Sequence, residues 1–166
     1  MSYVIQEIWR YPVKSMAGKS LQTADVTGNG ILGDRIVQVR DSAGRIVTAR
    51  TRPLLLRHRA TFAPDERVLV DGRPWESADV RRDVEAAAGA GTRLVLAPSE
   101  DCFDILPLLI TTDGMLHEVG YDRRRFRPNL VIGGVSGLEE RQWEGAMLRI
   151  GDVHRSRSKI FVPVAS

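Results

Sequence analysis

The sequence predicts a mainly β protein with a few helices, of the α+β class, folded as a β-barrel or strongly bent sheet. Three observations predict it. Short segments of alternating apolar and polar residues recur at 3–10, 21–27, 35–41, 45–50, 55–62 and 67–71. Turn residues separate them, as in Asp41-Ser42-Ala43-Gly44 and Asp71-Gly72-Arg73-Pro74. Helical periodicity is confined to one clear segment and one short one.

Taken in order, the first strand is 3–10 and the second 21–27, and the Asp41–Gly44 turn joins 35–41 to 45–50 as a hairpin. Ser77 is a good N-cap, and the helix it opens places Val80, Val84, Ala87 and Ala88 on one side before Gly89 stops it. A second short helix begins at Thr111 or Thr112 and turns Met115, Leu116 and Val119 inward, with Gly114 weakening it. Later strands are expected at 93–97, 129–133, 146–150 and 159–164, the last only as an edge because of Pro163. No repeat, low-complexity tract or linker interrupts the chain. At 166 residues and 43% apolar content it is expected to form one domain, with the loop at 88–92 as its weakest boundary.

Charge narrows the function classes. A net charge of +3 with 21 interspersed acidic residues fits a local anion pocket better than a nucleic-acid or membrane-surface protein. Of the 24 basic residues only Lys14, Lys19 and Lys159 are Lys, and the planar donor fork of Arg suits phosphate or carboxylate; a GC-rich coding sequence would give the same bias. The single cysteine, Cys102, excludes an internal disulfide and any cysteine-rich metal site. The N-terminus carries Glu7 inside its apolar stretch, so neither a signal peptide nor a membrane span is expected, and a cytoplasmic location follows.

Four segments concentrate chemistry. Tyr11-Pro12-Val13-Lys14-Ser15 follows a strand directly, and Lys14 reads either as a phosphate contact or as a solvated loop lysine. Gly30-Ile31-Leu32-Gly33-Asp34-Arg35 has two glycines for unusual backbone angles and an Asp-Arg pair that is either functional or a surface pair or cap. Thr48-Ala49-Arg50 ends the hairpin, which brings Arg50 and Arg35 near the same end of the ribbon. Arg123-Arg124-Arg125-Phe126-Arg127-Pro128-Asn129 enters an apolar strand, as a pocket rim or an exposed patch. His58, His117 and His154 lack metal-ligand spacing; Asp34, Asp104 and Glu118 read as caps or surface pairs before they read as acids or bases. The sequence therefore offers no metal ligands and no catalytic constellation of its own.

The ordered set YPVKS, GDR, TAR and RRFRPN resembles the MOSC family, named for the C-terminal domain of molybdenum cofactor sulfurase, with its N-terminal β-barrel portion. Phe103-Asp104-Ile105-Leu106-Pro107, Leu109-Ile110-Thr111-Thr112, Glu139-Glu140-Arg141-Gln142-Trp143 and Leu148-Arg149-Ile150-Gly151 extend the likeness over roughly residues 3–152. It implies one MOSC-type domain over 1–166, with an N-terminal β-barrel half at 1–88 and a C-terminal half at 92–166.

The resemblance further implies binding of the molybdenum cofactor, a phosphorylated pterin, or a related anionic ligand. By motif, Lys14, Ser15, Arg35 and Arg50 would surround it, with Thr111, Thr112, Arg125, Arg127 and Asn129 approaching from the other half. The implied chemistry is reduction of N-hydroxylated compounds by an external electron-transfer partner, or sulfur transfer. One departure stands out: where family members place a Pro-, Arg- and Cys-rich segment, residues 151–166 hold no cysteine. A thiolate is the natural soft ligand for molybdenum, so a cofactor-free scaffold acting on an anionic metabolite is the alternative expectation. Cys102 reads as a buried structural thiol.

Overall fold

The computed structural model describes residues 3–98, 106–120, 122–144 and 158–161, with backbone alone for Arg123, Arg124 and 158–161. The strands are β1 (Val4–Arg10), β2 (Lys19–Leu21), β3 (Thr23–Thr27), β4 (Gly30–Ile31), β5 (Val37–Arg40), β6 (Ile46–Val47), β7 (Ala60–Phe62), β8 (Val68–Val70) and β9 (Arg73–Pro74). Helix α1 (Ala78–Ala88) follows, then β10 (Arg93–Leu96), β11 (Ile110–Thr112), α2 (Asp113–Val119), α3 (Arg123–Phe126), β12 (Leu130–Gly133) and β13 (Ser158–Phe161). The fold is mainly β with a few helices, as the alternation requires. Among the described residues the strands form four open sheets, in the orders β11-β12-β1-β2, β10-β5-β6, β13-β3-β4 and β7-β8-β9, and none closes on itself as a barrel would. Strands this short, several of two or three residues, bend the chain too often for one continuous ladder.

The chain divides into two compact units that interleave in sequence. One comprises Met1–Trp9, Ser20–Leu32 and Leu106–Ser166; the other, Arg10–Lys19 and Gly33–Ile105. In the second unit, β5 is central, antiparallel to β10 with Val37 opposite Leu96 and to β6 with Val39 opposite Val47. Val37 and Val39 face a core built with Val13, Met16, Leu55, Val68, Val70 and the α1 residues Val80, Val84 and Ala88. Burying each such valine contributes about 1.5–2 kcal/mol. Helix α1 starts where the sequence says: Ser77 Oγ accepts the Val80 N–H at 3.3 Å, and Gly89 ends it.

In the first unit, β1 runs antiparallel to β12, Ile8 opposite Leu130, with a bulge between Ile5 and Glu7; β11 lies parallel to β12, Thr111 opposite Val131. Ile8, Leu130, Ala24 and Ile31 form its core. Thr112 caps α2 by accepting the Met115 N–H at 3.0 Å.

Several expectations need correction. The strand expected at 55–62 is a 3-10 turn, Pro53–Arg57, followed by β7, because proline fixes φ and opens a turn readily. The strand at 45–50 shrinks to β6, and that at 21–27 is divided between β2 and β3. In α2, Val119 is exposed and Gly114 is the buried residue: a Cβ there would lie 2.3 Å from the Gly137 carbonyl oxygen and 2.4 Å from that of Val135. The strand expected at 146–150 and the motif segments 103–105 and 148–151 lie outside the described residues, as do Cys102 and His154. No described helix is long and apolar enough to cross a membrane.

Candidate anion-binding site

In the second unit, the segment after β1 packs beside the start of β5. Val13 makes a parallel bridge to Val37; the Lys14 N–H donates to the Val37 carbonyl at 2.8 Å, and the Val37 N–H to the Pro12 carbonyl at 3.1 Å. A tight turn follows, closed by the Met16 N–H on the Val13 carbonyl at 3.3 Å, with Ser15 at φ 71°. Lys14 is only 7% exposed and Ser15 3%. The solvated-loop reading of Lys14 is thereby overturned: two strand-like hydrogen bonds, one from Lys14 and one to Pro12, fasten its segment to β5, and Lys14 is buried with it.

The Asp34-Arg35 pair is partly buried rather than a surface pair, Asp34 fully so. The Asp34 carboxylate, its side chain fully out of solvent, accepts the Tyr11 N–H through Oδ1 at 2.7 Å and pairs through Oδ2 with Arg35 Nη1. The Arg35 N–H donates to the Tyr11 carbonyl at 2.7 Å, and its guanidinium carbon lies 5.2 Å from the Tyr11 ring centre. A planar guanidinium held by one nitrogen and by a ring is fixed in orientation. Arg35 adopts φ 55°, and Gly33 before it φ 81°, where a Cβ would also lie 2.8 Å from Phe62 Cζ. Glycine is required there on both counts. Arg10 adds a half-buried cation 4.3 Å from the Phe62 ring centre; burial pulls it below its ordinary pKa, against the charges of Asp34 and Glu66.

Arg50 sits differently. The β5–β6 register does point the two arginines to one end of the ribbon, but pairing stops at Val47. Residues 48–52 curl into a turn, with the Thr51 and Arg52 N–H groups both on the Thr48 carbonyl, and Arg50 is exposed.

In the first unit, Thr111 and Thr112 are buried on β11, and Asn129 is buried immediately before β12, the strand parallel to it. Thr111 and Asn129 are two register positions apart, about 7 Å along the strands. Their side chains serve the fold. Thr112 Oγ1 caps α2 and donates to Glu140 Oε2 at 3.1 Å, and Thr111 Oγ1 donates to Met115 Sδ at 3.2 Å. Asn129 Oδ1 accepts the Leu109 N–H at 3.1 Å while Nδ2 donates to the Trp9 carbonyl at 3.3 Å, so this one amide ties two neighbouring chain segments to β12. Arg125 lies exposed on α3, and Arg127 follows at φ 53° with Nε and Nη2 buried.

Ser15, Arg35 and Arg127 are three of the five described non-glycine residues at positive φ. Such backbone costs about 1–3 kcal/mol each and gathers where function requires it. Sequence reasoning named Asp34 only as half of an Asp-Arg pair, not as the buried anchor of Arg35, and did not single out the buried Gln38 of β5. The signal for Asp34 was available in its place between an obligate glycine and an arginine. Among the described residues no three His, Cys, Asp or Glu side chains group as metal ligands.

Comparison with known proteins follows the same lines. Residues 2–104 match the model of the MOSC N-terminal beta barrel domain. The mitochondrial amidoxime reducing component 2 of Macaca fascicularis is 25% identical over 202 aligned positions, covering 87% of this chain and 60% of that protein. Its counterpart in Bos taurus is 23% identical, covering 92% and 62%. The Homo sapiens protein is 27% identical, covering 87% and 60%. The chain thus spans about three-fifths of the length of these relatives. With the domain match extending over more than half of the chain, and with the Lys14-Ser15 turn and the Asp34-anchored Arg35 inside it, the chain belongs to the MOSC family.

Proposed function

We propose that the chain binds the molybdenum cofactor through its phosphorylated pterin and serves in the reduction of N-hydroxylated compounds. One observation carries this reading: a buried turn holding Lys14 and Ser15 stands one hydrogen-bonded step from an Arg35 whose guanidinium is pre-oriented by Asp34 and Tyr11. Donors fixed before a ligand arrives lose little entropy on binding, and charge-assisted bonds to phosphate are the strong kind. The residues therefore fit the anionic, organic part of the cofactor. For the metal the described residues offer no thiolate, and Cys102 lies outside them.

In this reading Lys14 and Arg35 neutralise the phosphate, and the Ser15 hydroxyl completes the set. When bound, the cofactor supplies two electrons that, with two protons, cleave an N–O bond and release water. An external electron-transfer protein must provide those electrons. The names of the relatives are consistent with this chemistry.

The test is purification from a cofactor-making host, with molybdenum and pterin measured alongside reduction of benzamidoxime by a chemical electron donor. The expected result is near-stoichiometric pterin and molybdenum with amidine formed. Absence of both, with no binding of inorganic phosphate, would overturn the reading in favour of a cofactor-free scaffold.

A further inference from the structure

Gln38 is the one side chain of β5 whose burial the fold does not explain. It is 0% exposed, and neither Nε2 nor Oε1 has a hydrogen-bond partner. The neighbours on its strand, Val37 and Val39, both face the core with α1, so the pleat turns Gln38 to the opposite face of the sheet, level with Val95 of β10. The backbone of β5 is paired on both sides there, which leaves the amide nothing to offset. Burying a primary amide unmade costs about 1–3 kcal/mol for each group, and an apolar residue of the same shape would remove that cost. The sequence nonetheless reads Val-Gln-Val at this point.

Position says what the amide is near. Val13 bridges Val37, and Lys14, where the turn begins, and Gln38 are each the next residue past that bridge on their segments. The Lys14 N–H is bonded to Val37 at that step. The buried Lys14 is thus bonded through its backbone to the residue before the buried, unmatched amide, within one unit and in the turn that carries Ser15.

We propose that Gln38 reads a cis-amide edge, N–H beside C=O, on the ligand whose charged group Lys14 and Arg35 hold. A carboxamide presents one acceptor and one donor side by side, and a cis-amide edge presents the complement, so two bonds form and both atoms are satisfied. Under the proposed function, on which this identification of the ligand rests, that edge is the pyrimidinone of the pterin. The amide would supply selectivity rather than charge attraction: a site built to hydrogen-bond rejects ligands that leave its buried groups unmatched.

The experiment uses the 166-residue chain and two separate probes, unsubstituted pterin without phosphate and inorganic phosphate, titrated into wild type, Gln38→Met and Gln38→Glu. Methionine keeps the volume and removes both polar atoms, so the variant is expected to fold and to melt higher than wild type. The expected result is pterin affinity lower by about tenfold or more in Gln38→Met, with phosphate affinity unchanged. Gln38→Glu, which loses the donor, should weaken pterin as well.

Equal pterin affinity in wild type and Gln38→Met would overturn the proposal, as would a wild type that binds no pterin. A crystal structure in which ordered waters satisfy both amide atoms and stay when pterin is added would overturn it too. Loss of phosphate binding alone, with Gln38-dependent pterin binding intact, would strike the anion cradle and leave the amide's role standing.

Discussion

At the scale of single residues, the pair that organises the candidate site is Asp34 and Arg35. Asp34 is buried and the Arg35 side chain is 12% exposed, and the two are paired through Oδ2 and Nη1, so each contributes to the other's charge balance, with Arg10 acting on Asp34 as well. Asp34→Asn keeps an acceptor for the Tyr11 N–H but removes the carboxylate beside the guanidinium, and Arg35→Met removes one of the cations near Asp34, leaving Arg10. Urea denaturation should show each single variant losing about 1.5–3 kcal/mol, the worth of a hydrogen bond between charged groups. The double variant should lose less than the sum by about 0.5 kcal/mol or more, since the two single variants remove the same ion pair. Strict additivity would mean that the pair is not coupled. The same residues mark where sequence reading stops. The types and spacing of Lys14 and Arg35 drew notice, but burial did not show. Lysine, aspartate and glutamine are surface residues by habit, and only the bridge of Val13 to Val37 and the Tyr11–Asp34 bond put Lys14 and Asp34 inside.

Elements were legible where one local signal sufficed. Helix α1 needed only Ser77, a three- and four-residue apolar spacing and Gly89. Helix α2 shows the opposite case: its cap at Thr112 follows a local rule, but its buried face is set by the Val135 and Gly137 carbonyls of a distant loop pressing on Gly114. That loop is fastened to α2 by Asp113. Its Oδ1 accepts the N–H groups of Gly114 at 2.9 Å and Val135 at 3.0 Å, and Oδ2 accepts that of Gly134 at 2.8 Å. Burial works to raise the pKa of this carboxyl, but the three N–H bonds outweigh it and hold it below the ordinary value. A carboxyl with a depressed folded pKa stabilises the fold fully above its unfolded pKa of about 4, and the contribution is lost as pH falls through the folded value. Asp113→Asn should therefore be less stable than wild type at pH 7 and converge on it in acid. Chemical denaturation at pH 7, 4 and 2.5 measures this, and parallel curves would refute the role given to the carboxylate.

For the molecule as a whole, the interleaved units make a prediction about which strands depend on which part of the chain. The family match ends at residue 104, and so, within one residue, does the unit that carries Lys14, Arg35 and Gln38. Every described strand partner inside that unit is retained in a fragment 1–104: β10 and β6 beside β5, and β7-β8-β9. The other unit loses its frame. Strand β1 pairs with β12 and β3 with β13, and both partners lie beyond 104, as does the Leu130 that packs on Ile8. Sequence order hid this, because residues 4–9 belong with a strand more than a hundred positions later, whereas Arg10 already belongs to the other unit. A strand stripped of its ladder and its apolar cover on one side exchanges its amides quickly. Hydrogen exchange on fragment 1–104 should thus find β5, β8, β10 and α1 protected as in the 166-residue chain, and Val4–Ile8, which keeps β2 but loses β12, much less protected than there. Phosphate binding through Lys14 and Arg35 should persist in the fragment. Protection of Val4–Ile8 equal to that in the whole chain would mean that β1 is stabilised without β12, and that the units do not unfold separately.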